Sequence, residues 1–179
     1  QEYQVNATYS MGPSTYSSNT ITFLESLEHY SCQEIVLPGG WYIYSSYILS
    51  EDMNAEMVMS SLEDNLIIVK NNNGSVYLPE WEFNGIGDLD FHYGYQIKTH
   101  TSDILEICGL QIKPEENPIS LDAGWNIIAY LRENSAAVDI VLESLTDDDN
   151  LIIVKDYTGS PYLPEWDYNG IGDLRAGQG

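Results

Sequence analysis

The strongest constraint on this 179-residue chain is that its sequence is written out twice. Asn65-Leu-Ile-Ile-Val-Lys70 recurs as Asn150-Leu-Ile-Ile-Val-Lys155, and Tyr77-Leu-Pro-Glu-Trp81 as Tyr162-Leu-Pro-Glu-Trp166. Asn84-Gly-Ile-Gly-Asp-Leu89 returns as Asn169-Gly-Ile-Gly-Asp-Leu174. About three quarters of positions match over this stretch, at a period near 85. Upstream, Gly40-Trp41 matches Gly124-Trp125. Duplication predicts two similar folding units, so each element is read in pairs.

Each Gly-Trp pair follows a short expected strand (Ile35–Leu37, Ile119–Leu121) and leads into another (Trp41–Leu49, Trp125–Leu131). A helix is predicted next. Val138, Val141, Leu142 and Leu145 fall at i, i+3, i+4 and i+7, and Ala55, Val58, Met59 and Leu62 form the same stripe. The apolar runs Leu66–Lys70 and Leu151–Lys155 read as central strands covered on both faces. Asn72-Asn-Gly74 and Tyr157-Thr-Gly159 supply hairpin turns, and Pro79 and Pro164 end the returning strands. The Gly-Ile-Gly triplets call for positive φ or close backbone approach, and Asp88 and Asp173 are candidate caps for those turns. The first copy continues into strands Tyr95–Lys98 and Ile104–Ile107. The fold class is therefore α+β and β-dominant: two tandem homologous small modules, each with one helix.

The second copy lacks its final strand. Aligned on the shared glycines, Gly179 corresponds to Gly94, and no counterpart of Tyr95-Gln-Ile-Lys98 follows it. The chain opens instead with Tyr3-Gln4-Val5-Asn6, where Tyr3, Val5, Ala7 and Tyr9 alternate with polar residues as in a half-buried strand. Residues 21–27 are a candidate for the strand after it. The expected division is a donor strand and linker over 1–34, a first module over 35–113 and a second over 114–179. The second is completed by an N-terminal strand from another chain, through an acceptor formed by Trp125, Ile152, Val154, Ile171 and Leu174. Such head-to-tail contacts grow filaments unless they close into rings. Three other readings stay open: a longer covalent array supplying the strand, self-closure across a linker able to span roughly 80 Å, and an unrelated N-terminal arm.

The combination Gly-Trp-Asn-Ile-Ile (124–128), Leu-Ile-Ile-Val-Lys-Asp (151–156), Tyr-Leu-Pro (162–164), Ile-Gly-Asp (171–173) and Gly-Tyr-Gln-Ile-Lys (94–98) resembles tandem modules in large secreted and surface proteins of Bacteroidota. The resemblance covers nearly the whole chain. It implies an extracellular or cell-surface setting with an adhesive or structural role, and it brings no catalytic residues with it. Trp41-Tyr-Ile-Tyr44 departs from the Trp-Asn pattern.

Charge narrows the partners. With 28 acidic against 6 basic residues the net charge is -22, which disfavours nucleic acid and anionic membranes. No apolar run approaches the roughly 20 residues of a membrane span, so no membrane insertion is expected. Partners are thus further copies of the chain, with surface glycans as the alternative. Trp81 and Trp166 are the candidate glycan-stacking residues; the opposing reading makes them, with Trp41 and Trp125, core anchors. Cys32 and Cys108 are either a disulfide in an exported protein or two buried thiols. His29, His92 and His100 form no ligand or triad spacing, and the conspicuous acids recur in both copies, as folding determinants do; no enzyme and no cofactor is expected. Oxygen ligands at Asp147, Asp149 and Glu63–Asn65 leave weak calcium binding open against diffuse counter-ion attraction.

Overall fold

The computed structural model describes residues 29–147 and 150–179. The donor residues Tyr3 to Tyr9, the strand candidate at 21–27, and Asp149 lie outside the described residues, as does the side chain of Asp147. The fold is β-dominant, with thirteen strands, three short helices and several sheets among the described residues.

In the first copy, β1 (Tyr30–Leu37), β2 (Gly40–Tyr44) and β3 (Ile48–Leu49) precede the one-turn helix α1 (Ala55–Val58). Strands β4 (Leu66–Lys70), β5 (Val76–Leu78), β6 (Phe83–Asn84), β7 (Tyr95–Thr99) and β8 (Asp103–Gln111) follow. They make a three-stranded sheet, β1-β8-β3, and a five-stranded sheet, β2-β7-β4-β5-β6. Alternation decides which side chains enter the core: Ile35, Leu37, Leu105 and Ile107 from one sheet, Tyr42, Tyr44, Val69 and Ile97 from the other, in one buried cluster. The Leu66–Lys70 run is central, paired by β7 on one side and β5 on the other.

The predicted apolar stripe is real, but the single helix is not. Ala55, Val58, Met59 and Leu62 are all buried, yet the chain tightens into a 3-10 turn over Ser60–Asn65. Asn54 caps α1 by accepting the Glu56 N–H at 3.1 Å, and the Ser60 hydroxyl donates to the Met57 carbonyl at 2.7 Å, drawing the chain off the α-path. The second copy breaks likewise into α2 (Val138–Val141) and α3 (Glu143–Asp147), after a short β9 (Ala136–Ala137).

Its other elements are β10 (Val154–Lys155), β11 (Pro161–Leu163), β12 (Tyr168–Asn169) and β13 (Asp173–Leu174). Two expected strands are absent. Residues 119–121 are irregular, and 125–131 contribute only a bridge from Ile128 to Tyr93. Only Val154 and Lys155 of the 151–155 run are strand. The reason is common to all of them. A strand exists by its ladder, and no counterpart of β7 or β8 pairs with these segments among the described residues.

Candidate functional site

The repeated residues build the same local structure twice. In each copy a hairpin turn is clamped by one side chain: Asn71 Oδ1 accepts from the N–H groups of Asn73 and Ser75, and Asp156 Oδ1 from those of Thr158 and Ser160. Each Pro-Glu-Trp forms a 3-10 turn closed by a left-handed residue, Glu82 at φ 49° and Asp167 at φ 50°. Both alternatives offered for Gly-Ile-Gly are used. Gly85 and Gly170 face a carbonyl too close for a Cβ to sit freely, at 3.2 Å from Val76 O and 3.0 Å from Pro161 O, while Gly87 and Gly172 have φ of 73° and 77°. The cap is not Asp88 or Asp173. Asn84 Oδ1 receives the N–H groups of Ile86 and Gly87, and Asn169 Oδ1 those of Ile171 and Gly172, because the residue opening the turn is the one whose side chain reaches over it.

The two copies meet across a reciprocal seam. Gly94 N–H donates to Ile127 O at 3.0 Å, and Gly179 N–H to Ile43 O at 3.2 Å. Ala129 N–H donates to His92 O at 3.1 Å, and Ser45 N–H to Gly177 O at 3.4 Å. In each pair of bonds the roles of the copies are exchanged, so a local pseudo-dyad passes between Gly94 and Gly179. An ideal Cβ on Gly94 would stand 3.2 Å from Gly179 Cα, and one on Gly179 would stand 3.1 Å from Gly94 Cα. The hairpin turns obey the same symmetry: Asn72 Nδ2 donates to Trp125 O at 3.3 Å, and the Tyr157 ring lies 4.4 Å from that of Tyr42.

Past the seam the symmetry fails. From Gly94 the first copy runs into β7, which pairs with β2 and β4 and lays Tyr95, Ile97 and Thr99 into the core. Strand β10 pairs with β11 alone among the described residues, and none of them forms a strand along its other edge. Val69 is fully buried, whereas its counterpart Val154 is only half-buried. The rims nevertheless keep their spacing: Lys70 Nζ is 5.9 Å from the Trp41 ring centroid, and Lys155 Nζ is 5.9 Å from that of Trp125. Of the expected acceptor residues, Val154, Ile171 and Leu174 pack on the cluster of Val138, Leu142 and Tyr162. Ile152, at 81 % exposed, and Trp125, at 66 %, do not. Ile152 falls before β10 begins, and Trp125 belongs to the rim.

The tryptophans are not core anchors. Trp81 and Trp166 are each 73 % exposed, and Trp41 and Trp125 also face solvent. Aromatic burial is carried by tyrosines, including Tyr42, Tyr44, Tyr77, Tyr95 and Tyr162, whose positions alternate inward while the tryptophans fall on outward ones or in turns. The cysteines form the expected disulfide: Cys32 and Cys108 oppose each other in the β1–β8 register and are joined, and the alternative of two buried thiols falls. Asn65, a candidate cation ligand, is committed elsewhere. Its amide nitrogen donates to Asp103 Oδ2 at 2.7 Å, and its oxygen accepts from Thr101 N–H at 3.0 Å. That amide, with the Ile104 N–H, holds the Asp103 carboxyl below its usual range. Burial pushes the Tyr44 hydroxyl well above the ordinary tyrosine range, and Tyr95 beside it adds to the rise.

The seam and the Trp–Lys pairs were invisible to pattern reading, although the Gly94–Gly179 alignment marked the place. Comparison of the chain with protein-family models, with curated proteins and with solved structures finds no match. No helix among the described residues is long and apolar enough to cross a membrane.

Proposed function

We propose that this is a non-enzymatic, extracellular structural protein of two tandem modules that joins copies of itself head to tail by strand complementation. In this reading residues 3–9 of one chain enter the open edge of β10 in the next. Tyr3, Val5 and Ala7 take the inward places that Tyr95, Ile97 and Thr99 hold in the first module, and Gln4 and Asn6 face out. The observation that carries the reading is the pair of matched rims at 5.9 Å, one with β7 between them and one with no strand between them among the described residues. An open β-edge beside a half-buried apolar surface is a ready template for a further strand. The disulfide suits an oxidising, exported setting, as does the resemblance to secreted tandem modules.

The test has two arms, both read by light scattering and negative-stain microscopy. Deleting residues 1–10 should abolish assembly while the circular dichroism of the remainder persists. Appending a second Tyr-Gln-Ile-Lys-Thr strand after Gly179 should fill the edge in cis and block assembly in the otherwise intact chain. Persistent fibres from either variant, or a parent protein that stays monomeric when concentrated, would refute the mechanism.

A second reading has its own support. The solvent-facing Trp81 and Trp166, each presented on a rigid 3-10 turn, suit stacking on sugar faces in an adhesin module. A glycan-array signal that survives Trp81→Ala and Trp166→Ala together would remove it.

A further inference from the structure

The outer face of the five-stranded sheet combines aromatic surface with positive charge. Strands β2, β4, β5, β6 and β7 contain no Asp or Glu, in a chain that has 28. Two of the six basic residues, Lys70 and Lys98, project from that face. Tyr42, Ile97 and Val69 point into the core, so their neighbours Trp41, Lys98 and Lys70 must point away. Trp41 lies directly opposite Lys98 in the β2–β7 register. The Lys98 ammonium is 5.6 Å from the Trp41 ring centroid and the Lys70 ammonium 5.9 Å, while the indole remains 52 % exposed. Among the described residues neither ammonium has a carboxylate within ion-pair distance.

An exposed aromatic surface thus meets two cations drawn over its ring from the neighbouring strands, neither paired with a carboxylate among the described residues. We infer that this face binds an acidic polysaccharide of the uronic-acid class, with Trp41 stacked on a sugar ring and Lys70 and Lys98 pairing with its carboxylates. Three features favour that occupant. An indole offers its π-surface to the C–H face of a pyranose, and an ammonium makes charge-assisted hydrogen bonds to a carboxylate. The second copy holds a single Trp–Lys pair, Trp125 with Lys155, which offers a repeating ligand a second contact point. A net charge of -22 repels duplex or single-stranded nucleic acid, with its denser phosphate charge, more strongly than it repels a uronan. At physiological salt the Debye length is about 8 Å, so the local cations dominate over distant acids. The main site, Trp41 with Lys70 and Lys98, lies wholly in the first copy and stands or falls separately from strand exchange.

The experiment is isothermal titration of the full chain with an oligogalacturonate at physiological ionic strength. Parallel titrations use its methyl ester, poly-glutamate and single-stranded DNA. Saturable binding of the free acid is expected, and methyl-esterification should abolish it. The double variant Lys70→Gln/Lys98→Gln should weaken binding about tenfold. Lys113→Gln/Arg132→Gln, with an equal change in net charge elsewhere, should leave it unchanged. Lys98→Arg should retain binding, which separates charge recognition from folding. Equal loss in the two double variants, equal binding of acid and ester, poly-glutamate or DNA binding as tightly as the uronate, or no binding at all would each overturn the assignment.

Discussion

Replacing Gly94 by alanine puts the seam between the two copies to a direct test. Gly94 is not in the left-handed region, so alanine is tolerated by its own backbone and the effect comes from contact alone. An ideal Cβ there would lie 2.8 Å from Ile128 O and 2.9 Å from Ile127 Cγ2. Relieving both contacts opens the seam by about 0.5 Å, since carbon atoms pack at roughly 3.5 Å or more. Such a shift draws out two hydrogen bonds, Gly94 N–H to Ile127 O at 3.0 Å and Ala129 N–H to His92 O at 3.1 Å. At about 1 kcal/mol each, with some lost packing, the expected destabilisation is about 2–3 kcal/mol. Urea unfolding followed by far-UV dichroism measures the loss. Hydrogen exchange locates it, because the Ala129 amide should lose protection while Ile97, deep in the first sheet, keeps it. Gly124→Ala is the control. No atom lies within 4 Å of its Cβ, but its φ is 104°, so it should cost about 1 kcal/mol of local strain and leave the Ala129 amide protected. A Gly94→Ala protein within about 0.5 kcal/mol of the parent, with seam amides intact, would refute the reasoning.

Three further outcomes are expected. Removing the disulfide as Cys32→Ser/Cys108→Ser frees a loop of sequence separation 76 in the unfolded chain and should cost about 4 kcal/mol, seen as a lower urea midpoint with unchanged native dichroism. Tyr44→Phe should stabilise the protein by up to about 1 kcal/mol at neutral pH, because the Tyr44 hydroxyl is buried without a protein hydrogen-bond partner among the described residues. The pH dependence follows from the same group: its folded pKa is raised, so its contribution is intact below the ordinary tyrosine pKa and is lost as pH rises above it. Alkaline unfolding should therefore shift to higher pH in Tyr44→Phe. Asp103 acts in the opposite sense. Its folded pKa is depressed, so stability from the Asn65–Asp103 hydrogen bond is present above the ordinary aspartate pKa and fades as pH falls through the folded value; Asn65→Ala should flatten that acid limb in a urea series.

The repeat determined which local structures would occur, because turns are short-range chemistry. An Asn or Asp at the hairpin clamp, a proline opening each 3-10 turn and the glycines after Asn84 and Asn169 act within a few residues of themselves, so identical words gave identical shapes. Period-two alternation places Tyr95, Ile97 and Thr99 inward along β7. Tertiary structure decided whatever depends on a neighbour distant in sequence. The same Leu-Ile-Ile-Val-Lys is a five-residue central strand over Leu66–Lys70, but only Val154–Lys155 is strand in the second copy. The returning strand reaches only the last two residues of the run in either copy, and Leu66 to Ile68 are strand through β7, which has no counterpart in the second copy among the described residues. The tryptophans went outward for a related reason: residue type fixes what burial would gain, while the facing sheet fixes which side chains can be buried.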